Sequence, residues 1–232
     1  MSTEKRLRLA IPNGELKQDV IQFMQKIGLQ FDAPNRKYLL PVKNIPIDFL
    51  VARASDVPRI VHDSRSLVKA GITGNDLIWE AGLDPENGEK LPIDILVPNA
   101  KKWFLGVGIN SGFVTKIKEE QRREATVADL AQTMVATEYP RVASQYFKER
   151  DVCGVEIYQV GGTNEAMQFV FPNCFSSLGV FCTGETANAN GIWILDNFYE
   201  GAIQMIEAKE KLNRRDREII DDLREKIAVA IK

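Results

Sequence analysis

The chain has 232 residues, of which 44% are hydrophobic and 27% charged, with a formal charge of −2. This is the balance of an ordinary globular protein with room for one large core or two small ones. The slight acidity speaks against general nucleic-acid binding, which goes with a basic excess. Three cysteines, Cys153, Cys174 and Cys182, are too few and too scattered for a disulfide framework or a zinc site, and are expected as reduced thiols. No run approaches the roughly 20 apolar residues of a membrane helix. The N-terminal run LRLAI is too short for a signal-peptide core. A cytoplasmic protein without a membrane or nucleic-acid partner is expected. The single histidine, His62, sits in the polar segment RIVHDSR, read as a surface helix. Chemistry must then come from carboxylates, Arg and Lys, hydroxyls and backbone amides, a set suited to the electrostatic handling of phosphates.

In chain order, residues 6–12 read as a buried strand, followed by an Asn13-Gly14 turn. Leu16, Val20, Phe23, Met24 and Ile27 then recur at helical spacing up to Gly28. Residues 36–42 and 47–53 read as strands. Ser55 is the expected cap of a helix carrying Pro58 in its first turn. Residues 70–74 form a short strand, and NDLIWEAG a short helix closed by Gly82. This alternation predicts a largely parallel sheet. The turn-rich stretch 84–92 marks a crossing between lobes.

Residues 93–115 read as strand-like, and KIKEEQRREATVAD as a solvated loop and helix start capped by Thr126. TMVATEY, GVEIYQV and SLGVFC read as strands. Residues 140–150 and NEAMQFVF read as helices. The tail from about 199 is charged with apolar residues at helical spacing, and NRRDREIIDDLREKIAVAIK is a strong amphipathic helix. The expected fold is α/β, with two lobes around a central cleft: residues 1–92 plus 190–232, and residues 93–189. Ligands of such sheets bind beyond the carboxyl ends of strands. Six polar stretches fall at such places: PNGE (12–15), RASD (53–56), TGND (73–76), TEYP (137–140), GGTNE (161–165) and TGET (183–186). In the last, threonine and glycine can be a plain cap and turn, or a cradle of amides and hydroxyls for a phosphate dianion. Both readings stay open on these residues alone.

The pieces RKYLLPV, VARASDVPRIV, AGITGNDLI, VATEYPRVASQYF, GGTNEA and TGETANANG, in this order, resemble the ATP phosphoribosyltransferase family from about residue 6 to residue 212. The resemblance implies a two-lobed fold of the periplasmic-binding-protein type II kind. It implies a reaction of ATP with phosphoribosyl pyrophosphate (PRPP) that yields phosphoribosyl-ATP and pyrophosphate, the first step of histidine biosynthesis. It also implies Mg²⁺ as cofactor, a homodimer or larger assembly, and a short form that works with a regulatory subunit resembling histidyl-tRNA synthetase. By the same resemblance, Thr183, Gly184, Glu185, Thr186, Ala187 and Asn188 hold the 5-phosphate of the ribose. Arg53 assists the leaving pyrophosphate, Glu165 lies near the ribose, and Asp76 and Gly14 face the nucleotide. Read without the resemblance, Arg53 is a strand-end partner of Asp56, and Glu165 and Asp76 are ordinary first-turn carboxylates.

The chain departs from the family where positive charge is usual. Asn13 and Glu15 stand in the first loop, Asn75 in the Gly-x-Asp turn and Glu138 in the Tyr-Pro motif. Gly179 stands where an acidic residue usually precedes the phosphate loop. Each cation lost beside a desolvated phosphate costs on the order of 1–3 kcal/mol. Lys17, Arg36, Lys37, Arg59, Lys101 and Arg141 are candidates to compensate. The alternatives are a paralogue that uses PRPP with another acceptor, and a non-catalytic module binding anions or nucleotides.

Overall fold

The computed structural model describes residues 6–14, 16–82, 93–94, 103–182, 184–208 and 212–231. The crossing stretch 84–92, Glu15, Lys101 and Thr183 lie outside the described residues. The chain divides into two compact units, Met1–Ala100 with Ala202–Lys232, and Lys101–Gly201. The first opens with β1 (Leu7–Pro12), α1 (Leu16–Lys26), β2 (Leu39–Pro41), β3 (Ile47–Ala52), α2 (Val57–His62), β4 (Val68–Gly74), α3 (Asn75–Glu80) and β5 (Ile93–Asp94). The second holds β6 (Phe104–Asn110), α4 (Ser111–Gln121), β7 (Met134–Thr137), α5 (Pro140–Glu149), β8 (Glu156–Gln159), β9 (Cys174–Phe181), α6 (Glu185–Ala189) and β10 (Ile192–Glu200). The chain then returns to the first unit as β11 (Ile203–Glu207) and α7 (Arg214–Ile231).

In the first unit the strand order is β2-β3-β1-β4-β11-β5. Only β3, β1 and β4 are mutually parallel; β2, β11 and β5 pair antiparallel. The expected parallel sheet is therefore a parallel centre framed by antiparallel strands. Successive residues Leu9, Ala10 and Ile11 are all buried, the mark of a strand covered on both faces. In α1 the residues Val20, Ile21, Phe23 and Met24 are buried. In α7 the buried Ile220, Leu223 and Ile227 repeat at helical spacing. Arg224 of that helix also reaches the buried carboxylate of Glu207 at 2.8 Å, which fixes α7 against β11.

The second sheet runs β10-β6-β9-β7-β8, with β7 parallel to both β8 and β9. The helix α5 buries Val142, Ala143, Tyr146 and Phe147. The Tyr146 hydroxyl donates to Asp196 Oδ2 at 2.7 Å, and the Arg150 guanidinium lies 3.8 Å over the Tyr146 ring. These contacts tie α5 to β10.

Several sequence expectations are corrected. The division falls at 100/101 and 201/202, not at 92/93 and 189/190. β5 pairs with β11 in the first sheet, whereas β10 pairs with β6 in the second along its length. Residues 203–207, expected within a helical tail, form a strand in which Ile203, Met205 and Ile206 are buried. Residues 111–121 are a helix rather than strand and loop. Asn110 caps it by accepting from the Gly112 N–H at 2.8 Å, and Ile117 is its one buried residue, too narrow an apolar stripe to read as a period. Ser55 does not cap α2: residues 54–56 form a 3₁₀ turn, and Asp56 stands at the N-cap. Residues 164–169 are likewise 3₁₀ rather than α-helical.

Candidate functional site

In the first unit, Pro12 lies opposite Ala52 and Ala10 opposite Gly71. The segments that follow β1, β3 and β4 thus emerge at one edge, the carboxyl edge of the parallel centre. Asn13 donates its N–H to the Ala52 carbonyl at 2.6 Å. Gly14 holds φ +80°, with open space where a side chain would stand. Arg53 is exposed. Its link to Asp56 is through the main chain, the Asp56 N–H donating to the Arg53 carbonyl at 2.9 Å. The Thr73 hydroxyl donates to the Ala54 carbonyl at 2.7 Å and draws the β3 and β4 loops together. Asp76 follows in the first turn of α3 and is buried. Because β2 runs antiparallel to β3 with Leu39 opposite Leu50, Arg36 and Lys37 arrive at the same edge as Arg53. Lys17 enters α1 just after Gly14, its N–H donating to the Gly14 carbonyl at 3.2 Å.

In the second unit, Thr137 lies opposite both Gln159 of β8 and Leu178 of β9. The TEYP, GGTNE and TGET segments therefore leave three adjacent parallel strands in one direction. Gly162 has φ +132°, and the Glu138 carboxylate stands 4.0 Å from where its Cβ would be. Partial burial, together with the Glu165 carboxylate, holds the Glu138 carboxyl above the usual carboxylate range. A folded-state value raised above the unfolded one favours folding at low pH and is lost as pH rises through the folded value. Glu138→Gln is accordingly expected to melt at a higher temperature than wild type at pH 7, with the gain shrinking at acid pH as the Glu138 carboxyl takes up its proton. A gain unchanged between pH 7 and acid pH would show that the folded protein does not raise the Glu138 carboxyl.

The TGET segment turns at Gly184, φ +74°, and continues as the five residues of α6. Ala187 is buried against Phe181, Ile192 and Ile194 and anchors the turn to the sheet, while Glu185, Thr186 and Asn188 remain exposed. The Gly191 carbonyl accepts the Ser111 N–H at 2.9 Å, so the turn is joined to the start of α4. Asn164 was not singled out in the sequence. Its side chain is buried, and its Nδ2 donates to the Leu178 carbonyl at 2.9 Å. A Cβ on Gly179 would lie 2.2 Å from that nitrogen. The amide of Asn164 thus fills the space above Gly179. No local motif announces this pair, which lies 15 positions apart.

The model of the HisG family, ATP phosphoribosyltransferase, matches residues 53–229. The chain belongs to the ATP phosphoribosyltransferase family. AGITGNDLI, VATEYPRVASQYF, GGTNEA and TGETANANG lie inside that span, and RKYLLPV precedes it. The ATP phosphoribosyltransferase of Koribacter versatilis is 30% identical over 201 residues, covering 87% of this chain and 64% of its own length. That of Methanopyrus kandleri is 29% identical over 203 residues, covering 86% and 64%. The chain thus spans somewhat under two thirds of these relatives. Among solved structures, the ATP phosphoribosyl transferase (HisG:HisZ) complex from Thermotoga maritima superposes with a TM-score of 0.71 at 20% identity, covering 97% of this chain and 98% of that one. The substrate binding protein of an amino acid ABC transporter superposes at 0.51 with 11% identity, covering 96% and 91%. The ATP phosphoribosyltransferase family fold, two α/β units of the periplasmic-binding-protein type II kind, is the fold of this chain. No helix among the described residues is long and apolar enough to cross a membrane.

Proposed function

We propose that this chain is the catalytic chain of an ATP phosphoribosyltransferase, joining N1 of the adenine of ATP to C1 of PRPP in the first step of histidine biosynthesis. One observation carries the reading. The segments bearing Glu138, Glu165 and Thr186 leave the carboxyl ends of three adjacent parallel strands, in a chain whose family is that of the enzyme. As N1 bonds to C1, the C1–O bond breaks and its electron pair departs with pyrophosphate. The ribose passes through an oxocarbenium-like state, so the protein needs alignment and charge stabilisation rather than a nucleophile of its own.

In this reading the exposed hydroxyl of Thr186, with Thr183, Gly184, Glu185, Ala187 and Asn188, holds the 5-phosphate. Arg53 balances charge on the departing pyrophosphate. Glu165 offsets positive charge on the ribose, and Gly14 and Asp76 serve the nucleotide. Mg²⁺ is the proposed cofactor, supplying charge neutralisation to the pyrophosphate. Among the described residues no cluster of three or more His, Cys, Asp or Glu could hold a metal ion. The residues present suit an ion carried by the substrate's phosphates and its own waters, the common habit of Mg²⁺. A cytoplasmic homodimer or larger assembly, with a regulatory subunit resembling histidyl-tRNA synthetase, completes the proposal.

The test is turnover of ATP and PRPP with Mg²⁺, with and without the regulatory subunit, following phosphoribosyl-ATP and pyrophosphate together. Both products are expected. Pyrophosphate alone would point to another acceptor. Thr186→Val is expected to weaken PRPP binding by about tenfold or more through loss of a charge-assisted hydrogen bond. Unchanged binding by calorimetry would remove the 183–188 segment from the phosphate site.

A further inference from the structure

Asn75 does not display its side chain to solvent. It is buried, and its Oδ1 accepts two N–H groups, from Asp76 at 2.9 Å and from Ala202 at 2.8 Å. Its own N–H donates to the Ala202 carbonyl at 2.9 Å. Asn75 and Ala202 thus exchange a closed pair of hydrogen bonds across 127 positions of sequence. Ala202 is the residue at which the chain re-enters the first unit, one step before β11. On the other side of that point, the Gly201 N–H donates to the Trp103 carbonyl at 2.8 Å, and a Cβ on Gly201 would lie 1.9 Å from the Trp103 indole nitrogen. The re-entry point is therefore fastened in each unit separately, by Trp103 in the second and by Asn75 in the first.

We propose that Asn75 is a positioning residue that couples the Gly74–Asp76 turn to the re-entry segment at Ala202. It fixes the orientation of the turn through one oxygen shared between Asp76 and Ala202. Nucleotide bound at this turn is then felt at Ala202, and a displacement of Ala202 is felt by the nucleotide. The coupling to nucleotide rests on the function proposed above; the clasp itself does not. It also accounts for the neutral side chain at this position. A lysine or arginine there offers no acceptor to either N–H, and two buried donors would lose their partner.

The test combines amide hydrogen exchange with ATP binding by calorimetry, on wild type, Asn75→Ala, Ala202→Pro and the double variant. In the protein without ligand, Asn75→Ala is expected to speed exchange of the Ala202 and Asp76 amides together by about tenfold or more, since both lose the same acceptor. ATP is expected to slow both amides in wild type and neither in Asn75→Ala, whose Kd for ATP rises about tenfold while that for PRPP changes less than about twofold. Ala202→Pro removes the donor from the other end, so the double variant should bind ATP no more weakly than Asn75→Ala alone. A further loss in the double variant, or unchanged exchange at Ala202 in Asn75→Ala, would overturn the proposal. If wild type does not bind ATP, the function proposed above and the coupling both fall, and the ligand-free exchange alone decides whether Asn75 holds the re-entry segment.

Discussion

Arg53→Ala is expected to lower kcat/KM for PRPP by about 10²–10³, the range for loss of a donor aimed at charge that develops in the transition state. Arg53 stands exposed just beyond β3, on a turn fixed by main-chain hydrogen bonds from Asp56 and Val57 and by the Thr73 hydroxyl on Ala54. The turn does not depend on the guanidinium, so the variant should fold and melt like wild type. Arg53→Lys keeps the charge but loses the planar fork, and should recover part of the rate, about tenfold. The decisive readout is the split between binding and rate. The pyrophosphoryl group of PRPP is already anionic and gains one further negative charge as the C1–O bond breaks, so a guanidinium that acts on that developing charge should lower kcat more than PRPP affinity. A variant that loses affinity and rate equally would make Arg53 a ground-state contact, and one that keeps its rate would remove it from the site.

Gly179→Asp, which restores the acidic residue usual in the family, is expected to destabilise the protein by about 2–3 kcal/mol. Its Cβ would stand 2.2 Å from Asn164 Nδ2. The amide must swing away, and the buried Leu178 carbonyl then loses the donor now 2.9 Å from it. Asn164→Ala opens the space at the cost of that same hydrogen bond. The double variant should therefore be more stable than the sum of the two single changes, with a coupling of about 1–2 kcal/mol. Thermal melts of the four proteins measure it. Strict additivity would show that the two side chains do not compete for one volume. The same cycle read as PRPP affinity tests whether an acid at this place serves the ribose when a neighbouring amide no longer blocks it.

Much of the frame was legible because it is local. The spacing of Val20, Phe23 and Met24 shows α1, and Pro140 marks the start of α5. Each of the six polar stretches lies at the carboxyl end of a strand with a parallel neighbour, three in each unit, a placement that the local alternation of strand and turn already implied. The strands β10 and β11 were hidden because their pairing is remote: Ile192 meets Asn110, and Met205 meets Ile72. Nothing in IWILDNFYE or IQMIE says which partner will cover it. In α4 the charged surface outweighs Ile117, and the legible signal was the Asn110-Ser111-Gly112 cap. The roles of Asn75 and Asn164 are long-range for the same reason. Each amide looks like a lost charge or a plain turn residue until the main chain it holds is brought beside it.

The position of β11 sets the order in which the chain can be completed during synthesis. β11 lies between β4 and β5 and pairs with both. Among the described residues the short strand β5 pairs with β11 alone, so it waits for residues 203–207 to emerge. The second unit lies wholly within Lys101–Gly201, and its sheet closes once β10 is made. Domains fold as they leave the ribosome, and here the inserted unit is whole first. The nascent first unit carries an open edge at β4 for more than a hundred residues of translation. That interval is when the growing chain is most exposed to wrong strand pairing.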